Sequence, residues 1–191
     1  VLKARDRAWV LSSWQVIVDE YPVMGTEIKI TTAAYEFKGF MGMRNFIIET
    51  TDGKRLAWAN SNWTHLAIST GLPARLTPAD TDNYVLSEKM EMDYAPRKIK
   101  LPDSMIPQES FAVQKHHLDT NHHVNNCQYI CMAEDFLPED FKVYQMRAEY
   151  KMQAKLGDTI CPKTETEAGK VVVSLNDENG KPYAVVEFTE K

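Results

Sequence analysis

The sequence predicts an α+β fold made of a duplicated antiparallel-sheet unit, with a helix ahead of the second copy. Three observations lead there. Runs rich in β-branched and aromatic residues fill much of the chain. One amphipathic helix pattern spans 125–136. Short patterns from the first half recur, in order, in the second. The 191 residues are 43% hydrophobic and 26% charged, an ordinary globular balance with room for one large domain or two small ones.

The elements follow in chain order. Trp14 to Asp19 reads as a strand ending at Tyr21-Pro22 and a Gly25 turn. Thr26 to Phe37 is Thr- and Ile-rich with partial alternation. Arg44 to Thr50 meets Asp52-Gly53, the strongest hairpin signal in the chain, and Arg55 to Ile68 is the return strand. Residues 71–108 hold five prolines and little regular pattern, so they read as a connector wrapping over the surface. Phe111 to His116 resembles a strand. In the helix 125–136, Cys127, Ile130, Cys131 and Glu134 fall on one stripe, widened by Tyr129, Met132, Ala133 and Phe136, and Pro138 ends it. Cys127 and Cys131 are expected in the core, as free cysteines commonly are. Strands follow at Tyr144–Ala154 and Thr159–Glu167, then a hairpin over Val171–Phe188 turning at Asn179-Gly180.

The repeat rests on three pairs: Trp14-Gln15-Val16 with Tyr144-Gln145-Met146, Gly25-Thr26-Glu27-Ile28 with Gly157-Asp158-Thr159-Ile160, and Asp52-Gly53-Lys54 with Asn179-Gly180-Lys181. The second copy has a strand and a helix before its strand run, whereas the first has almost nothing before Trp14. A sheet with an apolar face needs a covering layer. With no Met before Val1-Leu2-Lys3, the expectation is a chain truncated at its N-terminus and a first sheet with an uncovered face.

Lys and Arg number 22 against 27 Asp and Glu, a net charge of −5, which argues against a broad nucleic-acid-binding surface. No apolar run approaches a membrane span. Three cysteines give no disulfide framework and suit a reducing compartment.

The dense polar segment is Lys115 to Asn126, with four of the five histidines. Asp119, Asn121 and His123 alternate, so an extended segment would present all three on one side. It ends where the helix begins, and unpaired N–H groups there can hold a polarised carbonyl oxygen. A histidine beside them can move protons or orient water, and a carboxylate can fix its tautomer. Plainer roles compete: Asn121 or Asn125 as a helix cap, and His116 and His122 as solvated surface. The His and Cys spacing lacks the zinc motifs, so no metal is expected. A Ser or Cys nucleophile has no elbow motif.

Asp119-Thr120-Asn121-His122-His123-Val124-Asn125-Asn126, followed by Tyr129, resembles the Asp-x-Asn-x-His-Val-Asn-Asn and Tyr signature of the acyl-ACP thioesterases. The similarity runs along most of the chain, through Trp9-Val10, Gln15-Val16, Asp19, Tyr21-Pro22, Gly42-Met43-Arg44, Ser61-Asn62-Trp63 and Glu149-Tyr150-Lys151. The resemblance implies tandem hot-dog folds, curved antiparallel sheets each around a central helix, the first lacking its N-terminal strand and helix. The expected division is a partial first hot-dog at 1–70, the connector at 71–108, and a catalytic second hot-dog at 109–191. The implied reaction is hydrolysis of fatty acyl-acyl carrier protein to free fatty acid, ending chain elongation. No cofactor is implied, since the substrate carries the phosphopantetheine.

The resemblance places the family's Asp, Asn and His at Asp119, Asn121 and His123. Its fourth member, a Glu followed by Cys, falls on Gln153 and Ala154. Gln is no general base, but it can hold a water or an oxyanion. Glu149 lies roughly 13 Å further along an extended strand and is a poor substitute. The expectation is direct attack by water, activated by His123, with Asp119 tuning the imidazole. Asn121 and the helix amides hold the carbonyl, and Gln153 orients water. Val124, Asn125, Asn126, Trp63 and Met43 are expected against substrate, with Met24, Met41 and Phe40 as further pocket residues. An acidic carrier protein would need a local basic patch, from Arg147, Lys151 and Lys155 or from Arg97, Lys98 and Lys100. Acyl-CoA hydrolysis and a non-catalytic acyl-binding module stay open as alternatives, as does a homodimer. The location expected is a bacterial cytoplasm, or a plastid if a missing leader held a transit peptide.

Overall fold

The computed structural model describes residues 5–191, so the opening Val1-Leu2-Lys3 lies outside the described residues. The chain divides into two compact units, one ending at Arg97 and the other beginning at Lys98. The connector is therefore shared: 71–97 pack with the first unit and 98–108 with the second.

The first unit is an antiparallel sheet of β1 (Arg7–Val18), β2 (Ile28–Lys38), β3 (Met41–Thr50) and β4 (Arg55–Ala67), in the order β2-β3-β4-β1. β1 starts seven residues before the expected Trp14. Pairing of Arg7–Leu11 with Trp63–Ala67 carries it through the weak strand formers Ser12 and Ser13, at the cost of a bulge there. The Asp52-Gly53 hairpin forms as expected, with Gly53 at φ 91°.

Register assigns the two faces, because directly opposed residues share one. The row Gln15, Asn60, Asn45 and Ala33 lies on one face. Its amides are buried; the end of the connector satisfies Gln15 and Asn45, while Asn60 accepts from the Tyr35 hydroxyl at 2.9 Å. Gln15 Nε2 donates to Asp93 O at 2.8 Å, and Ala95 N–H donates to Gln15 Oε1 at 2.9 Å. Asn45 Oδ1 accepts from Met90 N–H at 3.1 Å and from the Tyr94 hydroxyl at 3.2 Å. The prolines that made the connector look irregular thus belong to a fitted cover. Each of these bonds contributes about 1 kcal/mol net.

The rows on the other face are Trp14, Ser61, Arg44 and Ala34; Val16, Ala59, Phe46 and Thr32; and Val18, Ala57, Ile48 and Ile30. Trp14 and Phe46 meet at 4.8 Å between ring centroids. Ile30 is 64% exposed and Trp14, Val16, Phe46 and Ile48 are half-buried. Towards the Trp9–His65 end this face is overlaid by the connector. There α1 (Pro78–Thr81) starts on Pro78 with a capping box in which Asp80 accepts from the Thr77 N–H at 3.0 Å and hydroxyl at 2.6 Å. Ala74 N–H donates to His65 O at 2.9 Å. Among the described residues α1 is the first unit's only helix, so the middle of this apolar face keeps no helical cover within the unit.

The second unit contains β5 (Ile106–Pro107), β6 (Phe111–Ala112), a 3-10 turn at Lys115–His117, α2 (Asn126–Glu134), β7 (Val143–Tyr150), β8 (Thr159–Glu167), β9 (Lys170–Asn176) and β10 (Pro182–Glu190). The order is β7-β10-β9-β8-β5, with β6 also on β8. α2 packs on β9 and β10, whose Val171, Val173, Leu175, Ala184, Val186 and Phe188 are all buried.

Three expectations change. The strand at Phe111–His116 is only two residues long. Local bonds at Gln114–Leu118 replace the ladder, including Gln114 N–H donating to His117 Nδ1 at 2.9 Å. α2 buries Tyr129, Met132 and Ala133, while Cys127 and Cys131 are exposed rather than core. The helix turns its tyrosine inward because the Tyr129 hydroxyl accepts from the buried Ala154 N–H at 2.8 Å. β7 stops at Tyr150, four residues early, where the Lys151 and Met152 N–H groups converge on the single carbonyl of Tyr183.

Gly42 is held by close approach. A Cβ there would stand 3.0 Å from the Trp9 ring and 3.1 Å from the Phe37 ring. Gly42→Ala should lower the urea-unfolding free energy by about 1–3 kcal/mol. An unchanged midpoint would contradict this packing.

Candidate active site

The loop before α2 is closed by one side chain. Asp119 Oδ1 accepts from Asn121 N–H at 2.7 Å and from His123 N–H at 3.3 Å, and Oδ2 from the Asn121 amide at 3.4 Å. Backbone bonds tighten it further: Asp119 N–H to His123 O at 2.8 Å, and His122 N–H to Asp119 O at 3.0 Å. His122 takes the left-handed φ of 62° that the turn requires. The segment is therefore a tight loop, not the extended strand expected from alternation. Asp119, Asn121 and His123 still come together, through a carboxylate bonded to their backbone. Asp119 positions the loop rather than fixing the tautomer of His123.

Two flanking stretches hold this loop in place. Asn125 N–H donates to His117 O at 2.9 Å, and Val124 N–H to Ala154 O at 2.9 Å. His123 pairs with Lys155 in an antiparallel bridge. These bonds set Gln153, Ala154 and Lys155 beside the loop. Ala154 is fully buried and bonded through both N–H and C=O, whereas Gln153 is exposed. Glu149 is buried and committed elsewhere, accepting from Ile99 N–H at 3.1 Å and Lys151 Nζ at 2.9 Å.

The residues expected against substrate divide. Asn125 is the N-cap of α2, its Oδ1 accepting from Cys127 N–H at 2.9 Å. Val124 is 4% exposed, so its side chain belongs to the interior. Asn126 O accepts from the Tyr150 hydroxyl at 3.0 Å, which anchors the first helical turn. With Cys127 N–H taken by the cap, Asn126 N–H is a donor of that turn with no partner among the described residues. His116 and His122 are exposed. Met43 and Trp63 line an apolar cleft of about 190 Å³ in the first unit, with Trp9, Phe37, Arg44 and Tyr84. Met24 is fully exposed in a turn, and Met41 and Phe40 stand outside the cleft wall.

The electrostatics agree with the geometry. Burial pushes the Asp119 carboxyl up, but the hydrogen bonds from Asn121 and His123, with the nearby His123 charge, outweigh it and hold the group below its usual range. Burial pushes the Tyr129 hydroxyl up to about 12, so it stays protonated beside Ala154. His117 is lowered by burial and by its neighbour His116, 4.1 Å away between ring centroids. Among the described residues no three His, Cys, Asp or Glu side chains converge as a metal site, and no helix is long and apolar enough to cross a membrane.

The chain matches the acyl-ACP thioesterase N-terminal domain over residues 1–84 and the C-terminal domain over residues 101–188. It belongs to the acyl-ACP thioesterase family. A chloroplastic acyl-acyl-carrier-protein hydrolase from Cuphea viscosissima is 25% identical over 169 residues, 81% of this chain and 40% of that protein. The chloroplastic palmitoyl-acyl carrier protein thioesterase of Arabidopsis thaliana is 26% identical over 157 residues, 76% of this chain and 38% of that protein. The chain thus spans about two fifths of the length of these curated relatives. An acyl-ACP thioesterase from Bacteroides thetaiotaomicron has the same fold, with TM-score 0.90 at 20% identity over 100% of this chain and 79% of that one. The 12:0-ACP thioesterase of Umbellularia californica gives 0.87 at 17%, over 100% and 77%. These likenesses give the fold, tandem hot-dog units.

Motif reading named Lys155 only as a docking cation; its bridge to His123 and the Tyr129–Ala154 bond are the site features it missed. The cross-loop bridge has no local sequence signal.

A depressed Asp119 stabilises the closed loop above its ordinary value of 3.8 and loses that effect as pH falls through the lower folded value. The Asp119 side-chain carboxyl resonance should therefore titrate with its midpoint below 3.8. A midpoint at or above 3.8 would contradict the bonding of this carboxylate.

Proposed function

We propose that this chain hydrolyses the thioester of fatty acyl-acyl carrier protein, giving free fatty acid and the carrier thiol. The observation that carries the reading is the closed loop: it presents Asn121 and His123 together at the N-terminus of α2, in a chain that matches both family domains. His123 takes a proton from water as its oxygen adds to the carbonyl carbon, then returns it to the departing thiolate. The Asn121 amide and the Asn126 N–H are the donors for the carbonyl oxygen, and Gln153 orients the water. Ala154 offers no sulfur, so no acyl-cysteine forms there. No cofactor enters these steps.

The apolar cleft of the first unit, with Met43 and Trp63 in its wall, is assigned to an apolar ligand chain. For the acidic carrier, the docking candidates narrow. Arg147 is paired with the buried Glu187 at 2.6 Å and Lys151 with the buried Glu149 at 2.9 Å. Arg97, Lys98 and Lys100 are exposed, and they carry the docking assignment. A reducing compartment such as a bacterial cytoplasm fits the three free cysteines.

His123→Ala should lower kcat on a soluble acyl thioester by about 10²–10⁴-fold, and Asn121→Ala by about 10²–10³-fold. Turnover near wild type in both variants would remove the reaction from this loop. Acyl chain bound without thiol release would favour the binding module that the Gln at 153 suggests.

A further inference from the structure

Read from sequence, Lys155 belongs with Arg147 and Lys151 as a docking cation. The structure separates the three. Arg147 and Lys151 are spent on buried carboxylates. The Lys155 ammonium is exposed and has no ion-pair partner among the described residues. Its backbone is fixed, with the N–H donating to Asp158 Oδ2 at 2.8 Å.

Lys155 is also the bridge partner of His123. Directly opposed residues of an antiparallel pair put their side chains on one face, with Cβ atoms about 5 Å apart. Val124 N–H to Ala154 O, at 2.9 Å, pins the register. The Lys155 stem therefore leaves the backbone beside the imidazole. Asp119 does not neutralise it, because that carboxylate is turned inward onto the loop's N–H groups.

We propose that Lys155 is a catalytic electrophile of this site, its ammonium donating a hydrogen bond to the thioester carbonyl oxygen. The inference rests on the thioester-hydrolysis reading. As the water oxygen bonds to the carbonyl carbon, the C=O π pair moves onto oxygen, and Lys155 stabilises that negative charge. The pair then returns, the C–S bond breaks, and the thiolate leaves with the proton that His123 took from water. Thioester and water give carboxylic acid and thiol, with Lys155 keeping its protons throughout. The cation fits the departure at position 153. Gln153 supplies no second carboxylate, so the site relies on stabilising charge on oxygen rather than on a second base. An ammonium open to water contributes little. The bound acyl thioester covers it, and a donor aimed at developing charge in a water-poor site is worth about 10²–10³-fold in rate.

The test uses Lys155→Met and Lys155→Arg with two substrates, a fatty acyl N-acetylcysteamine thioester and the same acyl group on carrier protein. Lys155→Met should lower kcat by about 10²–10³-fold on both, leave KM unchanged and unfold at the wild-type temperature. Lys155→Arg should recover much of the lost rate. An unimpaired Lys155→Met would overturn the assignment, as would a loss confined to KM for the carrier-linked substrate, the mark of a docking cation. A wild type inert toward both substrates would overturn the hydrolysis reading, and this assignment with it. An active wild type with an unimpaired variant overturns this assignment alone.

Discussion

The Asp119 carboxylate, through its bonds to the N–H groups of Asn121 and His123, imposes the constraint on which the site depends. A five-residue loop with a left-handed histidine is not a conformation that a free chain holds. The carboxylate supplies acceptors that turn the backbone back on itself, and it is most effective ionised. Its pKa is therefore a measure of the loop: the hydrogen bonds that shape the turn also keep the group charged, against its partial burial. Removing that charge would release the positions of Asn121 and His123 together.

A closed loop is useful only if the frame around it is fixed. Ala154 is the fixed point, held by the Tyr129 hydroxyl at its N–H and by Val124 at its carbonyl. Tyr129 comes from α2 and Ala154 from the stretch beyond β7, so the helix and the sheet are tied at one buried residue. Tyr150 adds a second tie to the first turn of α2. Ala154 and Tyr129, which fix the frame, are buried, whereas Asn121 and Gln153 are exposed and Asp119 and His123 half-buried. The first unit follows the same logic with different means, since its buried Gln15 and Asn45 amides are satisfied by a connector rather than by a helix.

Much of this was legible in the sequence, for local reasons. Asp52-Gly53 and Asn179-Gly180 give their hairpins because turn chemistry is set by the turn's own residues. The Asp-x-Asn-x-His spacing identified the residues that meet in the loop, although their means of meeting was misread. Alternation assumes an extended backbone, and it has no way to represent a carboxylate bonding to N–H groups two and four residues on. The stripe through Cys127 and Cys131 failed for a related reason. Apolar periodicity offers several overlapping faces when Tyr129, Met132 and Ala133 compete with the cysteines, and a hydrogen bond to Ala154, 25 residues away, decides between them. The pairing of Lys155 with His123 is equally non-local. In the first unit, the start of β1 at Arg7 depends on a partner strand more than fifty residues downstream.

Turnover of a thioester by the closed loop, as against mere holding of an acyl chain, is open to direct measurement. The most direct measurement incubates the wild-type protein with a fatty acyl-acyl carrier protein in excess over enzyme and counts free thiol and free fatty acid together. Hydrolysis at this loop predicts both in equal amounts, through many turnovers per enzyme molecule. Acyl chain retained on the protein with the thioester intact, and no thiol released, would contradict it.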